Sequence, residues 1–569
     1  KYTEQILSYL KVENENARYI IVEPGDPRSA RLVSLMRDSF MRRGFFPVSP
    51  VSYHISDNKK RQVLIKMTKN VLEYLYVSAD KFPDKTAVAD EKNSLTYSQL
   101  VAKARNAACG LLPYVHKNDP VPVLADKSCD MLAVFFGAVM AGCFYTMVEP
   151  THPVERINSI LGTLEAGILV TNEKNTSKAD KLEFSGRRIS MEELLNHEPS
   201  EAELNKLKDI REESIDIDPL YSIFTSGSTG VPKGVIVNHR SVIDFIDEFT
   251  CIFGITSEDV IGNQAPFDFD VSVKDIYSAI KVGATIQIIP KKMFSFPTSL
   301  LDYLDDNHVT TLIWAVSALC IVTTFNGFDY KVPGSVNKVI FSGEVMPIKH
   351  LNGWRKAYPD AMFVNVYGPT EITCNCTYYI VDRDYELDEI LPMGKPFPNE
   401  KVFLLDEDDN LITASTPQVS GEVCVSGTAV TMGYYNNREK TDAAFVQNPL
   451  NSRYNEIIYR TGDLAYYNKD GQLVFSSRKD FQIKHMGHRI ELSEIDGSMN
   501  AIDGVNRACC IFHQDANRIL GFYEGTADSK AISHELVKKL PKFMIPQEFV
   551  NVENMPLTKN GKIDRKVLL

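Results

Sequence analysis

FTSGSTGVPKGV, residues 224–235, is the stretch on which the reading of this 569-residue chain turns. An apolar run ends at Phe224, a loop of Thr, Ser and Gly follows, and a second apolar run begins at Val235. Glycine tolerates unusual dihedrals and lets the backbone approach a ligand closely. Thr225, Ser226, Gly227, Ser228, Thr229 and Gly230 can therefore wrap phosphate oxygens with N–H groups and hydroxyls, while Lys233 screens the charge. It is not a Walker loop, which needs Gly-Lys-Ser/Thr entering a helix; here Pro232, Lys233 and Gly234 lead into a strand-like run. A flexible Ser/Gly linker fits poorly between two such runs.

Outward from this loop, short apolar runs alternate with helical patterns. The runs fall at 86–89, 122–125, 168–170, 222–224, 285–289, 311–313 and 339–341. Strands alternating with helices imply parallel sheets covered by helices, an α/β architecture. The polar stretch 171–219 reads as a surface insertion. Beyond Arg478 the pattern changes to short strand and helix pieces, which suggests a small α+β domain on a hinge. The expected division is an extension at 1–66, a core at 67–479 and a mobile C-terminal domain at 480–569. The extension carries 12 basic and 7 acidic residues, a net of +5, which leaves −17 on the remainder. A short strand at 19–22 and an amphipathic helix at 30–40 are expected within it, as a structural extension or the remnant of an upstream domain.

Composition narrows the class. With 44% hydrophobic and 24% charged residues the chain is an ordinary globular protein of three or four units. A net charge of −12 argues against sequence-independent binding to nucleic acid or anionic membrane. Ten cysteines without a C-x-x-C pair read as reduced thiols in a cytosol, giving a cytoplasmic expectation. The longest apolar run, 131–147, is interrupted by Gly and Ala and falls short of the ~20 residues that span a bilayer. No secretory signal is visible, and a first residue of Lys suggests a fragment or a processed chain.

The loop at 224–235 resembles the signature of adenylate-forming enzymes, the superfamily of acyl-CoA ligases, luciferases and nonribosomal peptide synthetase adenylation domains. Further motifs of that family follow in its order: LTYSQL at 95–100, NVYGPTE at 365–371, YRTGDL at 459–464, RKDFQIKHMGHRIELSEI at 478–495 and PLTKNGKIDRK at 556–566. The resemblance implies a large multi-sheet α/β core with a small mobile C-terminal domain. It also implies ATP and Mg²⁺, with conversion of a carboxylate to an acyl-adenylate and then a thioester. Such chemistry is positioning plus charge neutralisation. Lys562 would bridge carboxylate and phosphate as the catalytic lysine, and Glu371 would hold Mg²⁺. Asp463 would accept the ribose hydroxyls, Tyr367 would stack on adenine, and Arg478 would reach ribose or phosphate. Gly343, Glu344, Asn365, Gly368 and Thr370 join the nucleotide site by the same resemblance.

Asp270, in QAPFDFDVS at 264–272, resembles the residue that pairs with the α-ammonium of an amino acid in adenylation domains, and Asp268 stands close enough to compete. A buried carboxylate without a cation is costly, so an amino acid explains Asp270 better than a fatty acid does. Motif alignment places Val271, Lys274, Trp314, Ile340, Ser342, Val366, Cys374 and Asn375 around the side chain. Trp314 would favour a small side chain and Lys274 an acidic or polar one, unless Lys274 points out of the pocket. D-alanine–carrier protein ligases look particularly similar, but Ser342 stands where they usually carry Cys; Glu149, Ser477 and the pair His485-Met486 also depart from the family pattern. Asp480 occupies the hinge position. The acceptor implied is the phosphopantetheine thiol of a carrier protein, in trans or cut away, because no G-G-x-S site is present. An acyl-CoA ligase and a silent carrier-binding scaffold remain as alternatives.

Overall fold

The computed structural model describes residues 68–227, 231–479, 482–513, 516–557 and 563–568. The strand and helix expected within 1–66 lie outside the described residues, as do Ser228, Thr229, Gly230, Asp480 and Lys562.

Two large sheets share a buried helical layer. A nine-stranded sheet runs in the order Lys395–Pro396, Thr377–Ile380, Met362–Tyr367, Lys338–Ser342, Thr311–Ala315, Val260–Asn263, Thr285–Ile288, Thr86–Ala89 and Ser94–Thr96. Its central pairings, from Met362–Tyr367 through to Thr86–Ala89, are parallel. A six-stranded sheet runs Arg187–Ser190, Ile168–Thr171, Pro120–Leu124, Phe144–Val148, Pro219–Thr225 and Lys233–Asn238. Each of the seven expected strands is present, shifted by a few residues at its ends.

The sequence around each element explains its form. Tyr97–Leu111 is nucleated by a capping box in which Thr96 and Gln99 satisfy each other's backbone N–H groups. It packs closely on Cys129–Met140, where a Cβ on Gly137 would fall 2.7 Å from that of Ala107. The long apolar run divides between two elements: Cys129–Met140, a 12-residue helix apolar nearly all round because it is buried, and the strand Phe144–Val148, buried on both faces. No helix among the described residues is long and apolar enough to cross a membrane. The expected insertion at 171–219 is only partly a surface feature. Glu201–Glu213 buries no residue, yet Arg187–Ser190 supplies a parallel edge strand to the second sheet.

A third, antiparallel sheet is built from Glu400–Leu405, Leu411–Ile412, Gly421–Gly427, Phe445–Gln447, Ile457–Tyr467 and Leu473–Arg478. The C-terminal residues then form a hairpin, Gln482–His485 with His488–Glu491, and a three-stranded sheet of Val505–His513, Arg518–Gly525 and Glu548–Asn551. Ile490, Ile495, Met499, Ile532 and Leu536 give this part its own core. It meets the large part through a buried Arg156–Glu494 pair at 2.9 Å and through the hairpin, which reaches the loop between Pro219–Thr225 and Lys233–Asn238.

Candidate active site

The phosphate-type loop begins where Thr225, the last residue of its strand, pairs with Lys233 across an antiparallel register. Gly227 is required by close approach: a Cβ there would sit 2.0 Å from the Val231 carbonyl oxygen. Among the described residues the buried Thr225 hydroxyl has no hydrogen-bond partner, so it is available to a ligand. Ser226 is engaged by the hairpin. Its hydroxyl donates to the Arg489 carbonyl at 2.8 Å and accepts from the Glu491 N–H at 3.2 Å.

Charge in this region is paired. Glu371 is wholly buried, with Oε1 accepting from the Tyr434 hydroxyl at 2.7 Å and Oε2 from Arg489 at 2.6 Å. Burial pushes its carboxyl up, but Arg489 and then Lys233 outweigh burial and hold it at about 2. Burial lowers the pKa of Lys233, whose Nζ lies 3.9 Å from Glu491. Asp463 and Arg478 are cross-strand neighbours and form an ion pair, and Tyr367 donates its hydroxyl to the other Asp463 oxygen at 2.5 Å. The Nζ of Lys484 lies over the Tyr367 ring, 5.6 Å from its centroid. Thus the structure brings Thr225, Ser226, Gly227, Lys233, Glu371, Tyr367, Asp463 and Arg478 into one region. The loop 343–344 joins them: Gly343 takes a left-handed φ of 97°, and Glu344 Oε1 accepts from the Gly487 N–H at 2.8 Å. Asn365 instead donates to the Pro392 carbonyl at 2.9 Å.

Thr370 links this region to the next. Its hydroxyl donates to Asp270 Oδ2 at 2.7 Å, one residue from Glu371. Asp270 precedes the helix Val271–Val282, caps none of its N–H groups, and has its carboxyl pushed up by burial. Lys274, one turn further on, points inward. It is wholly buried and donates to Asn375 Oδ1 at 2.9 Å and Ser342 Oγ at 3.3 Å. Val271, Ile340, Val366 and Cys374 share one apolar cluster beside it. The backbone at Thr373 and Cys374 is left-handed, with φ of 50° and 84°, a conformation uncommon outside glycine that turns the 370–375 segment sharply. Gly368 makes room for that turn, since a Cβ there would lie 2.5 Å from the Asn375 Cα.

Two expectations change. Trp314 does not join this group. It pairs in register with Phe341, donates its indole N–H to the Gly262 carbonyl at 2.7 Å, and packs edge-on against Phe294 and Trp354 on the opposite face of the sheet. Strand side chains alternate in direction, so a motif alignment off by one residue exchanges faces. Ile313, paired with Ile340 and in the same cluster, occupies the pocket side. Asp268 is also set apart from Asp270: its Oδ2 lies 4.0 Å from His152 Nε2, its Oδ1 has no partner among the described residues, and burial, with Glu149 adding to it, pushes its carboxyl up to about 7.

The hairpin supplied residues that motif reading did not single out. Lys484 and Arg489 are cross-strand partners that reach Tyr367 and Glu371 respectively, whereas His485 and His488 form the next pair. His488 stacks on Phe543 at 3.6 Å and meets Phe269 edge-on at 4.7 Å. Arg489 lies within the quoted 478–495 motif, but its partner Glu371 is 118 residues away, so sequence offered no sign of the contact.

The profile of the family described as AMP-binding enzyme matches residues 75–435, more than half of the chain. The chain is 31% identical over 514 residues to one of the mycosubtilin synthase proteins of Bacillus subtilis, covering 88% of this chain and 19% of that protein. It is 32% identical over 495 residues to a D-alanine–D-alanyl carrier protein ligase of Staphylococcus haemolyticus, covering 85% of this chain and 95% of the other. Its fold matches that of an artificially fused adenylation–PCP di-domain from Klebsiella oxytoca, with a TM-score of 0.73 and 20% identity, over 85% of this chain and 94% of that one. The chain therefore belongs to the AMP-binding enzymes, with a fold of large multi-sheet α/β core and smaller C-terminal part. It spans about a fifth of the length of the mycosubtilin synthase protein.

Proposed function

We propose that this chain adenylates an amino acid with ATP and passes the aminoacyl group to the phosphopantetheine thiol of a carrier protein. The observation that carries the reading is the placement of Asp270. A partly buried carboxylate, held by Thr370 and preceded and followed by apolar residues, lies one residue's reach from the phosphate-side Glu371. A pocket with a fixed anion at its mouth suits an α-ammonium, and leaves the substrate carboxylate toward the nucleotide.

In the first half-reaction a carboxylate oxygen attacks the α-phosphorus and pyrophosphate leaves. In the second the thiol sulfur attacks the acyl carbon, the thiol proton is lost and AMP departs. Thr225, Ser226, Lys233 and the 226–230 backbone would hold the phosphates; Tyr367, Asp463 and Arg478 would hold the nucleoside. Lys562 would neutralise charge between carboxylate and phosphate during the first step. The small domain would then turn about Asp480, the hinge of the expected division at 480. Glu371 suits Mg²⁺, which is commonly held by one or two carboxylates and the substrate's own phosphate oxygens. Both its oxygens are engaged here by Tyr434 and Arg489, so it would serve the ion with the hairpin withdrawn. Bound there, Mg²⁺ would neutralise the phosphates. All ten cysteines are unpaired, in keeping with a cytoplasmic enzyme.

The test is ATP–pyrophosphate exchange across the L amino acids, their D forms and fatty acids. Amino acids should support exchange and fatty acids should not; the reverse would make the chain an acyl-CoA ligase, and exchange with nothing would leave a silent scaffold. Lys562→Ala should lower exchange by roughly 10²–10³-fold, the scale of losing one group aimed at developing charge, while transfer from preformed adenylate stays within a few-fold. Equal loss of both steps would refute the hinge.

A further inference from the structure

The helix Glu201–Glu213 carries Leu204, Leu207 and Ile210 at helical spacing, yet buries none of its residues. That stripe is one wall of a cleft of about 320 Å³ whose other apolar walls include Leu72, Val101 and Val139. Small-molecule clefts run from about 300 Å³ upward, so this one is large enough for a ligand. It is separate from the candidate active site. Asp218 and Pro219, on its wall, lead into the strand Pro219–Thr225 at one end. The phosphate-type loop leaves that strand at the other end, about 20 Å away at ~3.3 Å per residue.

The polar groups of the cleft are short of acceptors. His239 is buried, and burial lowers its pKa to about 4, so the imidazole is neutral. A neutral imidazole accepts at one nitrogen only, yet both nitrogens of His239 face donors. Nδ1 faces the Val71 N–H at 3.3 Å and Nε2 the Asn70 amide nitrogen at 3.4 Å. Asn70 cannot turn its amide round, because its Oδ1 accepts from the Leu72 N–H and its Nδ2 donates to Ser214 Oγ, both at 2.9 Å. One donor hydrogen is therefore left without an acceptor among the described residues. Arg105 and Arg211 also line the cleft, and neither forms a hydrogen bond or ion pair with a described residue. Arg211 lies over the Tyr76 ring, 4.4 Å from its centroid, and the charges of both guanidinium groups act on the Tyr76 hydroxyl. The one carboxylate among the described lining residues, Asp218, is taken by Lys117 at 3.1 Å.

We infer that this cleft is a second binding site, for a small amphipathic carboxylic acid whose apolar body lies against Leu204, Leu207 and Ile210 and whose carboxylate meets Arg105 and Arg211 beside Tyr76. A guanidinium fork matches a carboxylate with two parallel N–H donors, and apolar walls with a few convergent polar groups suit a small organic ligand. The inference goes beyond the amino-acid reading above, because it requires neither ATP nor an amino acid.

The test is calorimetric titration of the full chain with octanoate, set against octanol. Octanoate should fill one saturable site, and octanol should bind roughly tenfold more weakly or worse, the scale of a hydrogen bond to a charged group over a neutral one. Replacing both arginines, Arg105→Gln with Arg211→Gln, should bring octanoate down to the level of octanol. Leu207→Trp, at a half-buried position on the stripe, should fill the cleft and remove binding of both. Thermal unfolding of each variant checks that it is folded, and if Leu207→Trp is not, the arginine pair decides. No saturable octanoate binding up to about 10 mM would overturn the inference, and so would octanol binding as tightly. Binding that survives either folded variant lies elsewhere on the molecule and would overturn it too.

Discussion

Beside the 225–233 loop Glu371 faces Arg489 and Asp463 faces Arg478, whereas at the start of the helix Val271–Val282 Lys274 donates to Ser342 and Asn375. Glu371, Asp463 and Lys274 are all buried; Asp463, Arg478 and Arg489 sit on strands, Glu371 on a single 3₁₀ turn and Lys274 on a helix. They differ in who supplies the opposite charge. The hairpin of the C-terminal part brings Arg489 to Glu371, with Lys484 its cross-strand partner, so these charges come from an element far away in the chain. The charges that act on Lys274 instead come from its own helix and the residue that precedes it, Asp275 and Asp270.

That contrast can be broken at several points. The largest effect is expected from Arg489→Ala, which removes the hairpin's cation from Glu371. Losing a charged hydrogen bond in this arrangement should slow carrier-thiol transfer by roughly 10- to 100-fold while pyrophosphate exchange changes much less. Separate single-turnover measurements of the two half-reactions would show it, and an equal loss in both would mean Arg489 serves the nucleotide in each.

Trp314→Phe probes the other face of the same sheet. It deletes the indole N–H bond to Gly262 and should cost about 1–3 kcal/mol in denaturant unfolding, with the ranking of amino acids in exchange unaltered. A changed ranking would return Trp314 to the pocket wall.

The smallest effect concerns Glu400, a carboxyl that accepts from the Ala429 N–H at 2.9 Å but has no cation beside it among the described residues. Burial pushes the Glu400 carboxyl up to about 8 against the opposing Ala429 N–H, and Asp244 adds to the rise. A folded pKa above the ordinary 4.5 means the stability from the protonated form is present below 4.5 and lost as pH climbs toward 8. Glu400→Gln should therefore raise Tm by about 1–2 °C at pH 8.5 and scarcely at pH 5. A gain as large at pH 5 would show that Glu400 is ionised throughout. Without an opposite charge beside it the carboxyl takes up a proton.

Much of the fold was legible because its strands are short apolar runs and its helices amphipathic, and local periodicity reports both. The motif segments likewise mark where the chain turns sharply: Gly227, Gly343 and Gly368 each meet a backbone demand that only glycine satisfies readily. Legibility failed where the answer lay across the chain. Lys274 could point in or out of an amphipathic helix, and only the packing of Ser342 and Asn375 decides it. Trp314 was assigned to the wrong face because a strand's two faces differ by one residue. Arg489 gave no local sign of meeting Glu371, and the edge strand Arg187–Ser190 was hidden in a polar stretch.

The sequence by itself therefore determined the α/β class, the motif order and which side chains could do chemistry, since these depend on residue type and short-range spacing. Only the tertiary structure decided which charges meet, because a carboxylate and a cation far apart in the chain become partners only when sheets and hairpin place them in the same low-dielectric space.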